Sequence, residues 1–189
     1  RRDARLVTRF LSQCTASNAY LFAQIERGAM GNEYIAGPML GYWHQGNLEG
    51  LAIFGTNLVM STPCSTSAAV AFAHYATQHH LEPWVAFGND IAMGHFMEAY
   101  ATGGPAVLSR RERQVLFELE HAPLLLDSAS TLRPADISEL EELIVMDRAM
   151  VEEELGFDPF ARDLHSYRRG WKRRIREGRC WVSTEEERI

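Results

Sequence analysis

Apolar and polar positions along these 189 residues switch between the helical and the strand period. Near the start, residues 3–14 (DARLVTRFLSQC) set Leu6, Phe10 and Leu11 on one helical face. Ser17-Asn18 then caps a second helix over 18–27, apolar at Tyr20, Leu21, Phe22 and Ile25. Residues 28–38 contain three Gly and a Pro and read as a loop. Two strands follow, 39–44 (MLGYWH) and 48–60 (LEGLAIFGTNLVM), with Gln45-Gly46-Asn47 as the hairpin turn between them. The polar loop 61–66 (STPCST) caps a helix from Ser67 to about His79. A short buried strand at 84–88 leads to a helix over 90–101, ended by Gly103-Gly104-Pro105. Strands are expected at 115–120 and 123–128, and a helix at 136–154. Leu164, Tyr167, Trp171 and Ile175 recur at helical spacing, so 161–177 is an amphipathic helix. Cys180–Ser183 begins one more strand. Strands and helices in this order predict an α/β or α+β three-layer domain, helices flanking a central sheet.

Composition narrows the class. The chain is 46% hydrophobic and 23% charged, enough apolar content for a sizeable core, which excludes disordered and collagen-like classes. A net charge of −6 speaks against a nucleic-acid-coating protein. Cys14, Cys64 and Cys180 are odd in number and far apart, so they form no disulfide framework and fit a reducing, cytoplasmic setting. No apolar run reaches the roughly 20 residues of a membrane span, and no signal peptide is present. A start on Arg1-Arg2 without methionine suggests trimming.

Charge is distributed unevenly. Residues 28–109 hold no Lys or Arg and only five acids, and are expected to form buried layers or a shielded interface. Residues 110–189 hold 14 basic and 18 acidic residues. The shift predicts a boundary within 110–135.

Three stretches carry a family resemblance. TLRPADISELEEL (131–143) joins a strand to a helix capped by Asp136, with Glu139 completing a capping box. MVEEELGFDPF followed by YRRGWKRRIREGRCWV resembles a helix–helix connection running into a strand. GNLEGLAIFGTNLV (46–59) is the clearest part of 39–100. Together with the element order, these resemble the GNAT acetyltransferase superfamily, in a two-lobed subfamily with a GNAT-like N-terminal domain before the transferase domain. The resemblance implies a GNAT-like lobe at 1–127, degenerate in its chemistry. It implies the first strand, two helices and second strand of a C-terminal lobe at 128–189, with the rest of that lobe, cofactor strand and loop included, beyond Ile189. It implies acetyl transfer from acetyl-CoA to a small-molecule or peptide primary amine by the parent protein, this fragment being inactive alone. The missing second lobe is then a natural partner of the first, and a homo-oligomer is compatible with it. The alternative is a non-catalytic GNAT-like module for ligand sensing or protein docking.

The resemblance also locates candidate residues. Ser65, Thr66 and Ser67, at a helix start where GNAT enzymes hold pyrophosphate, are candidate cofactor contacts with Asn89. The loop lacks the close-approach glycines and contains Pro63, which has no N–H, so ordinary capping is the competing reading. The position of the GNAT thiolate-protonating Tyr holds Phe96, with Tyr100 one turn on. No catalytic residue is assignable. Glu154 and Tyr167 are candidates for an acidic acceptor-amine pocket, against a solvated helix end. No metal-ligand spacing occurs. Cys64 and the histidines read as packing or surface residues. The cations of 165–179 read as a solvated face pairing with the acidic helix, rather than as a nucleic-acid site.

Overall fold

The computed structural model describes residues 2–29, 37–103, 116–117 and 132–183. The expected strand at 123–128 lies outside these. Of the one at 115–120 only Leu116 and Phe117 are described, in neither helix nor strand. The chain divides into two compact units, Arg1–Glu120 and His121–Ile189.

Unit 1 is a mixed sheet flanked by helices, the α+β three-layer class expected. Helices α1 (Arg2–Leu11) and α2 (Ala19–Ala29) precede strands β1 (Met39–His44), β2 (Asn47–Phe54) and β3 (Leu58–Met60). Helix α3 (Thr66–Gln78), strand β4 (Ala86–Phe87) and helix α4 (Asp90–Ala101) follow. The strand order is β1-β2-β3-β4; the first three pair antiparallel and β3 pairs with β4 in parallel. Parallel neighbours need a crossover, and α3 supplies it.

The layering is written in β2. Leu51 and Ile53 pack into a cluster with Phe10, Leu11 and Leu21 of the α1–α2 side. Ala52 and Phe54 point the other way, into a cluster with Phe72 of α3 and Phe96 of α4. Successive strand residues face opposite sides, so the half of β2 covered on both faces, Leu51–Phe54, is apolar throughout.

Several expectations change. The span 48–60 is two strands, broken at Gly55-Thr56-Asn57, where Gly55 N–H donates to Asn57 O. Those three residues are turn formers inside an otherwise apolar run. The 84–88 segment pairs only at Ala86 and Phe87, ends the described sheet, and leaves Phe87 exposed. The charge-poor stretch is therefore not wholly buried: Ile91 is 71% exposed. On α1 the buried residues are Phe10 and Leu11, with Val7 packed against them, and Leu6 faces water. The hairpin turn is two residues, Gln45 and Gly46, both at positive φ (50° and 81°), the arrangement that matches strand twist.

Unit 2 contains strand β5 (Arg133–Pro134), a 3-10 turn (Ile137–Glu139), helices α5 (Leu140–Leu155) and α6 (Phe160–Arg176), and strand β6 (Trp181–Val182). Strands β5 and β6 pair antiparallel. Leu140, Leu143 and Ile144 of α5 pack with Ile175 and Val182. Helix α6 breaks at Asp163 (φ −161°, ψ 86°), whose carboxylate accepts from Ser166 N–H at 2.9 Å and caps the turns beyond. Leu164, expected on the apolar stripe, is exposed just past that break.

The expected capping box is present. Asp136 accepts from Ser138 N–H at 2.9 Å, and Glu139 accepts from Asp136 N–H at 2.6 Å. Arg133 adds two bonds to Glu139, at 2.5 and 2.9 Å. The Arg133 guanidinium and the Asp136 amide hold the Glu139 carboxyl at about 2, below its ordinary value near 4.5. A carboxyl depressed on folding stabilises above its unfolded value and loses that contribution as pH falls through the folded one. Acid titration followed by circular dichroism should therefore show unit 2 losing helix between about 4.5 and 2. The Glu139→Gln variant should flatten that slope, and an unchanged slope would remove the box from the account.

Candidate functional site

In unit 1 the candidate site is the loop joining β3 to α3. Three residues build it. Asn18, wholly buried, grips Thr62 at both ends of its amide group: its Oδ1 accepts from Thr62 N–H at 2.8 Å and its Nδ2 donates to Thr62 O at 2.5 Å. The same Nδ2 donates to Leu11 O at 2.9 Å, tying the end of α1 to the loop. This carboxamide was expected to cap α2; it is engaged with the loop instead. Ser61 Oγ accepts from Leu51 N–H at 2.9 Å and donates to Pro63 O at 2.7 Å, fixing the loop to β2. Gly50 of β2 lets α3 approach: a Cβ there would lie 2.7 Å from Ala68 Cβ and 3.1 Å from Cys64 Sγ.

Ser65 is the N-cap of α3, its Oγ accepting from Ala68 N–H at 3.1 Å. The same hydroxyl donates to Glu49 Oε2 at 2.9 Å, and Glu49 Oε1 lies 3.1 Å from His44 Nδ1. A carboxylate thus sits beside the positive end of α3, where it complements the helix dipole. Thr66 and Ser67 are exposed in the first turn.

Much of the loop's donor capacity is already used within the protein. Thr62 N–H is engaged by Asn18, Ser65 N–H donates to Glu49 O at 2.9 Å, and Pro63 has none. A phosphate would also meet the Glu49 carboxylate. Asn89 likewise caps α4, accepting from Ala92 N–H at 2.9 Å. Phe96 is 1% exposed and stacks on Tyr100 at 5.5 Å between ring centroids. The Tyr100 hydroxyl donates to Leu81 O at 2.7 Å, the bond of a core tyrosine. Burial pushes the Cys64 thiol up to about 11, so it stays protonated and unreactive at neutral pH.

In unit 2, Tyr167 and Trp171 sit one turn apart on α6 and converge on one carboxylate. Tyr167 hydroxyl donates to Asp147 Oδ2, and Trp171 Nε1 donates to the same oxygen at 3.0 Å. Phe160 meets Tyr167 edge-on at 5.3 Å, and Arg148 lies 4.7 Å above the Phe160 ring while donating to Asp158 at 2.7 Å. Glu154 is exposed on the same side of α5 as Asp147, two turns further on, about 10 Å along the axis. The carboxylate that Tyr167 engages is therefore Asp147.

The basic face of α6 engages carboxylates in part. Arg168 pairs with Glu141 of α5, and Arg173 and Arg179 pair with Glu177. Among the described residues no group of three or more His, Cys, Asp or Glu is arranged to hold a metal ion. No described helix is long and apolar enough to cross a membrane.

Asn18, Glu49 and Asp147 were not foreseen as site residues. Glu49 and Asp147 left a signal: each is an acid within an apolar pattern, Glu49 in the strand LEGLAIF and Asp147 on the Leu140–Leu143–Ile144 side of α5. Comparison of the chain with protein-family models, with curated proteins and with solved structures finds no match.

Proposed function

We propose that this chain belongs to a GNAT-like N-acetyltransferase that moves an acetyl group from acetyl-CoA to a primary amine in the reducing cytoplasm. Unit 1 serves as a non-catalytic lobe, and unit 2 as the opening strand–helix–helix–strand of the transferase lobe. The observation that carries this is the topology of unit 1. Two helices lead into an antiparallel meander, which turns into a parallel pair at β3 and β4 through the α3 crossover. That order is the one the resemblance implies. The paired β5 and β6, separated by two helices, are in keeping with it.

No step of the transfer is assigned to unit 1. Its loop spends the Thr62 and Ser65 amides on Asn18 and Glu49, the position of the GNAT acid holds Phe96, which has no proton to give, and the Tyr100 hydroxyl is held by a backbone carbonyl. In unit 2 the carboxylate–aromatic cluster of Asp147, Tyr167 and Trp171 suits a cationic amine, with Glu154 further along the same helix. The test is thiol release from acetyl-CoA over a panel of primary amines, using the protein expressed from its complete coding sequence. Amine-dependent release, reduced by Asp147→Asn, is expected. Calorimetry should find no acetyl-CoA binding by the 189-residue chain. Absence of release over the whole panel would favour the non-catalytic docking or sensing module.

A further inference from the structure

Helix α5 keeps one side for its own unit and, among the described residues of unit 2, leaves the other unpartnered. Leu140, Leu143 and Ile144 are buried, and Asp147 meets α6. Opposite them, Val145 (65% exposed), Met146 (48%) and Met150 (48%) stand in water with Ala149. At 3.6 residues per turn these four share an arc of about 140°. Glu142 and Glu153, both exposed, fall within the same arc at its two ends, eleven residues apart or about 16 Å along the axis. The strip is thus an apolar centre with a carboxylate at each end, and two methionines give it an adaptable surface.

The spacing of this strip tests possible occupants. Turned about a two-fold axis and laid antiparallel on itself, it sets Val145 against Met150 and Met146 against Ala149 of a second copy, a good apolar match. The same operation sets Glu142 against Glu153 of the second copy at both ends. Like charges in contact destabilise such a pairing, so the carboxylates act against self-association. They favour an occupant with cations at both ends of an apolar centre. We propose that the outward face of α5 is a docking strip for an amphipathic helix of another protein, with small or aliphatic residues at its centre and Lys or Arg about three turns apart. Helix-in-groove recognition of this kind reads apolar anchors at helical spacing and sets register by the flanking charges.

The probe is a fluorescein-labelled helical peptide with Leu and Ala at its centre and Lys at both ends, titrated against the full chain by anisotropy. Its counterpart carries Glu in place of Lys. The Lys peptide should bind, weaken with added salt, and bind at least about tenfold less tightly to the Glu142→Lys/Glu153→Lys variant. The Met146→Ala/Met150→Ala variant should weaken it as well. Both variants alter exposed side chains, so their circular dichroism should match that of the parent. Peroxide oxidation mapped by mass spectrometry should reach Met146 and Met150 in the free chain and be slowed by the Lys peptide. Equal binding of the two peptides, an unchanged affinity in either variant, or no binding of the Lys peptide would overturn the proposal. Protection of both methionines in the free monomer would overturn it in favour of a covering segment of the same chain. Sedimentation showing a dimer that the charge-reversal variant disrupts would overturn it in favour of a second copy.

Discussion

Replacing Asn18 with leucine should destabilise unit 1 by about 3 to 5 kcal/mol, near the top of the range for single substitutions. The side chain is wholly buried and engages three backbone groups: Leu11 O, Thr62 O and Thr62 N–H. Leucine fills the same space and satisfies none of them. Each buried group left without a partner costs about 1 to 3 kcal/mol, and the half-burial of the two Thr62 bonds keeps the total below a simple sum. The melting temperature should fall by roughly 15 °C. Asn18→Asp is the sharper variant, because it keeps the shape and loses the donor. An ionised carboxylate would face Leu11 O and Thr62 O, acceptors against an acceptor, so at neutral pH it should be at least as harmful as leucine. Denaturant titration by tryptophan fluorescence checks both. A loss under about 1 kcal/mol for the leucine variant would mean that the loop holds its course without the carboxamide.

The contrast between Asn18 and its neighbours shows what a sequence of this kind reveals. Local rules placed α3 and α4 nearly to the residue, each beginning at a capping side chain, Ser65 or Asn89. The Asp136–Glu139 box was legible too, but it caps the 3-10 turn Ile137–Glu139, and α5 begins four residues later than expected, at Leu140. The 45–46 turn was equally legible, since a Gly between two apolar runs demands it. What stayed hidden was long-range. Nothing in the string Ser17-Asn18 tells a helix cap from a clamp on a loop 44 positions away. The apolar run Leu51–Phe54 of β2 was visible in the sequence, but which helices cover which of its faces was not. Glu49 shows the same limit at the candidate site. Its isolation among apolar residues was visible; its bond to the Ser65 hydroxyl depends on how the β2 and α3 termini meet. The helix start that was a candidate anion site is consequently one with its own carboxylate beside it.

That meeting of β2 and α3 turns on Gly50, and Gly50→Ala should cost about 1 to 3 kcal/mol. The added Cβ would lie 2.7 Å from Ala68 Cβ, 3.1 Å from Cys64 Sγ and 3.4 Å from Phe72 Cε2. Ala68 is fully buried and Phe72 nearly so, so neither can swing aside. Helix α3 has to lift from the strand, and with it Ser65 has to move from Glu49. Strand propensity alone predicts the opposite sign, since Ala in a strand interior is better tolerated than Gly. The Ala68→Gly change in the same background removes the closest contact. By itself Ala68→Gly should cost about 1 kcal/mol, the usual penalty of glycine inside a helix. Combined with Gly50→Ala it should be less destabilising than the two losses added, by about 1 kcal/mol of coupling. Circular dichroism melts of the four proteins in this cycle decide the matter. Strict additivity would show that α3 yields freely at its start and that the close approach is not what seats the Ser65 cap against Glu49.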